Sequence, residues 1–121
     1  HGNQLPSPSL SKRLDLIRQD IKTLSEKEVL EKLEIVYGVG FETIETIPAV
    51  LAMIILSKGN PMKSAQLSAN IAGDSDTIGS ISTAICGAFH PEFNSLDIKH
   101  IEEVNGINFK KYVDGLERVF K

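Results

Sequence analysis

The chain has 121 residues and one cysteine, so Cys86 has no partner for an internal disulfide. A lone thiol leans weakly toward the reducing interior of the cell, and a cytoplasmic location is the expectation. Basic charge is not in excess: 13 Lys and Arg, scattered along the chain, stand against 16 Asp and Glu, for a net charge of −3. That excludes the electrostatic footprint of a nucleic-acid binder. Long apolar runs are missing too. The longest, Ile47 to Leu56, contains Pro48 and is too short to span a bilayer, so no membrane partner is expected. The start, His1-Gly2-Asn3-Gln4-Leu5-Pro6-Ser7-Pro8, has no basic segment followed by an apolar one, so no signal peptide is read there, and it has no initiator Met. Residues 1–8 read as a linker or a cut end, and the chain as a fragment. Finally, no run alternates with period two between turn signals, which excludes strands.

What is present is helical. Hydrophobic residues make up 41% and charged ones 24%, enough for a core. Residues 9–121 therefore read as one helical unit. Leu10, Leu14, Ile17, Ile21 and Leu24 recur at spacings of three and four, one apolar stripe on a helix of about four turns. Ser25-Glu26-Lys27-Glu28 is a capping box, in which hydroxyl and carboxylate close each other's free amides. Its helix carries Val29, Leu30, Leu33 and Val36 inward and stops at Gly38 and Gly40. From Phe41 to Ser57 the chain is apolar on most sides, which predicts a buried helix with Ile44, Ile47, Val50, Leu51, Ile54 and Ile55 inward. Pro48 belongs in its first turn or at a kink, and Lys58-Gly59 ends it.

Asn60-Pro61 starts a short interior helix rich in Ala and Ser. From Thr77 to Phe89 there is no charge at all, which predicts a second buried helix, broken by His90-Pro91. Helices near Leu96 to Val104 and from Asn108 to Phe120 close the chain, the last with Phe109, Tyr112, Val113, Leu116, Val119 and Phe120 on one side. The fold class is all-α.

The segment Ala72-Gly73-Asp74-Ser75-Asp76-Thr77-Ile78-Gly79 interrupts this apolar pattern with two carboxylates two residues apart beside two hydroxyls. Helix capping accounts for much of it: Asp74 can accept from free amides, worth about 1 kcal/mol, and Asp76 in the first turn suits the helix dipole. An EF-hand loop is excluded, because Ile78 and Ile85 stand where oxygen ligands are required. A hard-cation site is the third reading. Asp74 and Asp76 can aim at one point, Thr77 can add a neutral oxygen, and oxygen-only ligation suits Mg²⁺, Mn²⁺ or Ca²⁺ rather than zinc. Three such groups cannot fill six positions, so this reading needs ligands from outside the loop. Spacing alone leaves capping and metal both open.

The stretch from Ala69 through Asp74-Ser75-Asp76-Thr77-Ile78-Gly79, with Ala84-Ile85-Cys86-Gly87-Ala88-Phe89 after it, resembles the C-terminal signature of the ADP-ribosylglycohydrolase family. Its usual form is Gly-Gly-Asp-Thr-Asp-Thr-Ile followed by a small-residue helix. Upstream, Gly38-Val39-Gly40-Phe41-Glu42-Thr43 and Ile47-Pro48-Ala49-Val50-Leu51 are similar to the family's glycine-aromatic stretch and Leu-Pro-x-Ala-Leu helix. Ala72 and Ser75 depart from that form by small changes, and His90-Pro91 stands where an aromatic residue and Gly are usual. The family's N-terminal Thr-Asp-Asp metal motif does not occur here.

The resemblance implies the C-terminal part of an orthogonal helix bundle around two Mg²⁺ or Mn²⁺ ions, and hydrolysis of the glycosidic bond between ADP-ribose and an acceptor such as a protein side chain. It implies Asp74, Asp76 and Thr77 as metal ligands, with Gly40 and Phe41 near bound ADP-ribose. The partner it implies is the N-terminal half of the same protein, in the same or a separate chain. That half would carry the general acid or base, so none is assigned among Glu42, Glu45, Glu92, Glu102 and Glu103, whose carboxylates read mostly as solvated surface. Other N-ribosides as substrates, or a non-catalytic family member, are the alternatives. Cys86 reads as a buried inert thiol, and His90, about 20 Å of helix from Thr77, as too distant to share its ion. The apolar central helices need neighbours, so the piece alone is expected to be insoluble or molten.

Overall fold

A computed structural model describes residues 9–120; the expected linker at residues 1–8 and the final residue lie outside them. Among the described residues there are seven α-helices and no strand: α1 (Leu10–Thr23), α2 (Glu26–Lys32), α3 (Thr43–Leu56), α4 (Pro61–Ala69), α5 (Ser75–Phe89), α6 (Ser95–Asn105) and α7 (Phe109–Val119), with α2 running on into a π-helical turn (Leu33–Tyr37). The all-α reading holds. No helix of the described residues is long and apolar enough to cross a membrane.

The helix ends follow local chemistry. Ser25 accepts from the Glu28 amide while the Glu28 carboxylate accepts from the Ser25 amide at 2.8 Å, so the capping box is formed. The Ser25 hydroxyl also donates to the Glu28 carboxylate at 2.6 Å, and this bond, with the one from the Ser25 amide, holds the Glu28 carboxyl below the usual carboxylate range. Asn60 accepts from the Lys63 amide at 2.8 Å ahead of Pro61, and Asn108 from the Lys111 amide at 2.9 Å.

The buried faces differ from the expected ones where helices meet. In the turn after α2, the wider π winding moves the register by one residue. Tyr37 enters the core and Val36, expected inward, is exposed. In α3 the buried residues are Thr46, Pro48, Ala49, Val50, Ala52 and Met53. Of the expected inward set only Val50 is fully buried; Ile44, Ile47, Leu51 and Ile54 are half-buried, and Ile55 is exposed. α1 and α5 both pack on α3, and its fully covered residues are mostly compact ones, Ala49, Ala52, Pro48 and Val50, with Met53 the large side chain among them.

Pro48 stands past the first turn, as the sixth residue of α3 and inside the helix. Proline has no N–H, so the Ile44 carbonyl four residues back loses its helical partner. Arg13 of α1 supplies one. Its Nη1 donates to Ile44 O at 3.4 Å and also to the Tyr37 carbonyl.

α4 and α5 pack closely through serines. Ser64 Oγ donates to Ser82 Oγ at 3.0 Å, Ser68 and Ser82 hydroxyls lie 3.4 Å apart, and Gly79 faces Ser68 with room for little more than hydrogen. The expectation of a fully buried α5 is corrected: Ile78, Ser82 and Cys86 form a buried stripe, while Ile81, Ile85 and Phe89 are exposed. An absence of charge at Thr77–Phe89 therefore does not mean cover on all sides within this chain. Cys86 is buried, 3.6 Å from the Ser57 hydroxyl.

α6 and α7 contribute no buried residue. An apolar cavity of about 610 Å³ separates them from the core, lined by Met62, Ala65, Thr83, Phe93, Ile98 and Phe109 among others. The apolar side of α7, with Tyr112, Val113, Leu116 and Phe120, is exposed.

Candidate functional site

The acidic loop leaves α4 at Asn70 and enters α5 at Ser75. Ile71 is buried and seats its first residue in the core. Gly73 then adopts φ +71°, in the left-handed region, and a Cβ there would lie 2.2 Å from the Val39 carbonyl oxygen. Only glycine fits both the conformation and the contact. This explains why the motif keeps Gly73 while tolerating Ala72, which is exposed.

Two neighbours hold the loop. The Asp74 N–H donates to Val39 O at 2.7 Å, and the Ala72 N–H donates to Glu34 Oε1 at 2.8 Å. The Val39 carbonyl thus ties the glycine loop to the acidic loop, and Gly40 and Phe41 follow Val39 in the chain. Phe41 is 88% exposed.

The glycine loop has its own supports. Its Gly40 N–H donates to Glu45 Oε2 at 2.9 Å, and its Gly40 carbonyl accepts from Thr46 Oγ1 at 2.9 Å. A Cβ on Gly38 would come within 2.4 Å of the Glu45 carboxyl carbon, and one on Gly40 within 2.4 Å of Glu45 Oε2. The glycines are therefore the space that Glu45 fills. On the other side Tyr37 is tied down: its hydroxyl donates to Asp20 Oδ2 at 2.6 Å, and Lys32 Nζ to Asp20 Oδ1 at 2.8 Å. Burial acts to raise the Asp20 carboxyl, but these two hydrogen bonds and the Lys32 charge outweigh it and hold it below the ordinary range. Burial, with the bond to Asp20 and its negative charge, pushes the Tyr37 phenol up, against the opposing charge of Arg13.

The carboxylates of Asp74 and Asp76 are not used in this way. Asp74 is the residue before α5, yet its side chain makes no capping hydrogen bond, so the capping account of Asp74 is corrected. Its φ of −85° and ψ of 52° are not the extended values a capping residue adopts. Asp76 lies in the first turn; its carbonyl accepts from Ser80 Oγ at 2.6 Å, and its carboxylate has no partner among the described residues. Thr77 is exposed beside it. The loop thus presents three oxygen-bearing side chains that the fold leaves free. A helix N-terminus carries about half a positive charge, which favours anions, so any cation here depends on the two carboxylates. No cluster of three His, Cys, Asp or Glu side chains with metal-holding geometry occurs among the described residues.

Glu34 and Glu45 are the residues that sequence reasoning passed over. Glu45, read as solvated surface, buttresses the glycine loop. Its position five residues after Gly40 was the available signal, since a carboxylate at the start of a helix can reach back to loop amides. Glu34 gives no such sign, because its partner is 38 positions away. Glu42 precedes α3 and makes no capping bond. His90 follows α5 at its far end and packs near Gly59, away from the acidic loop.

Comparison with known proteins gives the family. Residues 3–114 match the family model described as ADP-ribosylglycohydrolase. The chain is also 37% identical over 116 residues to a protein of Escherichia coli (strain K12) described as "Uncharacterized protein YegU", an alignment covering 93% of this chain and 34% of that protein. The chain therefore spans about a third of the length of the curated relative it matches. No solved structure matches it. A family match that runs from before α1 into α7 reaches far beyond one acidic loop: the chain belongs to the ADP-ribosylglycohydrolase family.

Proposed function

We propose that the protein bearing this chain hydrolyses the glycosidic bond between ADP-ribose and an acceptor such as a protein side chain, and that this chain supplies part of a site for two Mg²⁺ or Mn²⁺ ions. The observation that carries the proposal is the state of Asp74 and Asp76. Two carboxylates at the mouth of an apolar helix, beside a loop held through its backbone, have no hydrogen-bond or charge partner of their own among the described residues. Together with the Thr77 hydroxyl they are an oxygen-only donor set, which fits a hard divalent cation. They cannot complete its shell, and the remaining ligands come from the N-terminal part of the family domain.

In this reading Asp74, Asp76 and Thr77 would hold the cations in place and move no protons. When bound, the ions would supply Lewis-acid charge and lower the pKa of water. Water adds across the bond, its oxygen going to the anomeric carbon and a proton to the departing acceptor, through an oxocarbenium-like state. Gly40 and Phe41 border the place where the ribose lies. The general acid or base belongs to the part of the domain outside this chain.

The test is hydrolysis by the complete polypeptide, with Mn²⁺ or Mg²⁺ and then with chelator, of ADP-ribosylated arginine, ADP-ribosylated serine and simple nucleosides. Metal-dependent release of ADP-ribose supports the proposal. Cleavage of nucleosides alone replaces it with an N-riboside hydrolase, and no turnover of any of them with full metal binding replaces it with a non-catalytic role.

A further inference from the structure

We infer that Glu34 and Glu45 are positioning residues that set the geometry of the Asp74–Thr77 loop, each acting through a backbone amide and neither serving as a ligand. The inference rests on the metal reading above only for its functional consequence; the clamp itself stands on geometry.

The loop between Ile71 and Ser75 has no regular structure of its own, so its shape must come from bonds to other segments. Two are present. Glu34, on the π-helical turn after α2, accepts the Ala72 amide at 2.8 Å. The Val39 carbonyl accepts the Asp74 amide at 2.7 Å. Val39 is an adequate anchor only if its own loop is fixed, and Glu45 does this: it accepts the Gly40 amide at 2.9 Å while its carboxyl group lies over both Gly38 and Gly40. The amides on both sides of Gly73 are thereby held, one directly and one through a relay. The π-helical turn has a part here. It carries Glu34 on its exposed side while Tyr37 turns inward. A carboxylate is the stronger choice for such a task, because a charged acceptor makes roughly twice the bond of a neutral one.

The consequence is a division of labour among four carboxylates. Glu34 and Glu45 face backbone and are satisfied there, whereas the Asp74 and Asp76 carboxylates have no partner among the described residues. Held this way, the aspartates need little reorganisation when a cation arrives, and loss of a support behind a ligand costs about 10- to 100-fold in metal affinity.

The experiment uses the complete polypeptide and the variants Glu34→Ala, Glu34→Gln, Glu45→Ala and Glu45→Gln. Amide hydrogen exchange across residues 71–77 is measured beside Mn²⁺ affinity by electron paramagnetic resonance. Each alanine variant is expected to speed exchange in 71–77 by about tenfold, as one lost hydrogen bond would, and to weaken Mn²⁺ about 10- to 100-fold. Glutamine, which keeps a neutral acceptor oxygen, is expected to restore about half of both. Unchanged exchange at 71–77 in both alanine variants overturns the clamp, as does wild-type Mn²⁺ affinity in variants whose loop has loosened. A wild-type protein that takes up no Mn²⁺ defeats the metal reading instead, and the exchange measurement then decides the clamp alone.

Discussion

The amide of Asp74 donates to the carbonyl of Val39 at 2.7 Å, so the acidic loop and the glycine loop meet through main chain, not side chain. A bond of this kind is insensitive to most substitutions at either residue. It is sensitive to what stands between them, and Gly73 stands there. Gly73→Ala puts a methyl group 2.2 Å from the Val39 oxygen at φ +71°. The expected result is a loss of about 1–3 kcal/mol of stability from strain and a broken bond, with weaker Mn²⁺ binding. Urea melts and a Mn²⁺ titration of the same sample check it.

Asp76→Asn tests the opposite case. Its carboxylate is exposed and has no partner among the described residues, so the substitution is expected to shift stability by no more than about 0.5 kcal/mol. Metal binding and hydrolysis are expected to disappear while far-ultraviolet circular dichroism stays the same. Calorimetric Mn²⁺ titration decides it: wild-type affinity in the variant defeats the ligand assignment.

Arg13→Ala is expected to be among the more damaging changes to a charged side chain. The guanidinium serves the Ile44 carbonyl that Pro48 orphans, and the Tyr37 carbonyl next to the glycine loop. Leaving part-buried acceptors unpaired costs about 1–3 kcal/mol. The double variant Arg13→Ala with Pro48→Ala is expected to recover some of the loss, because an N–H at position 48 closes the Ile44 carbonyl again. Thermal melts of the single and double variants measure this.

The Asp20–Tyr37 pair makes stability depend on pH at both ends. The Asp20 carboxyl is lowered from 3.8, so its contribution is present above that value and fades as pH falls through the folded-state value. Asp20→Asn is therefore expected to lie below wild type at neutral pH, with the gap closing in acid. The Tyr37 phenol is raised from 10.0, so the folded state keeps a proton that the unfolded chain releases, and stability falls as pH climbs beyond that value. Tyr37→Phe is expected to remove this alkaline loss. Denaturant midpoints across pH give both signs, and a gap that widens in acid would contradict the first.

The 121 residues alone are expected to associate or behave as a molten state, since Ile81, Ile85 and Phe89 on α5, Tyr112 and Leu116 on α7, and Phe120 after it are exposed. Dye binding to exposed apolar surface and sedimentation at several concentrations check this. A sharp cooperative melt of a monomer with no dye binding would contradict it.

The helix boundaries, the capping box at Ser25 and the breaks at Gly38, Gly59 and His90 were all legible in the residues, because a helix end is settled by groups within about four positions of it. The family resemblance was legible for a similar reason: the acidic loop and its glycine neighbour are short, contiguous strings. Which sides of α3 and α5 are covered was not legible. Apolar composition reports that a helix can be buried, but that Ala49 and Ala52 are fully covered and Ile55 is exposed depends on where α1 and α5 pack on α3. The same holds for Val36 and Tyr37, exchanged by one wide turn.

Sequence alone thus determined the elements and named Asp74, Asp76 and Thr77. Only tertiary structure decided that Arg13 repairs the gap at Pro48, that the Asp74 carboxylate caps nothing, and that Glu34 reaches an amide 38 residues away. Hydrogen bonds along one helix repeat at a fixed short interval and can be counted from the string of residues. A bond between distant segments exists only after packing has brought them together, and no local pattern encodes the distance that packing closes.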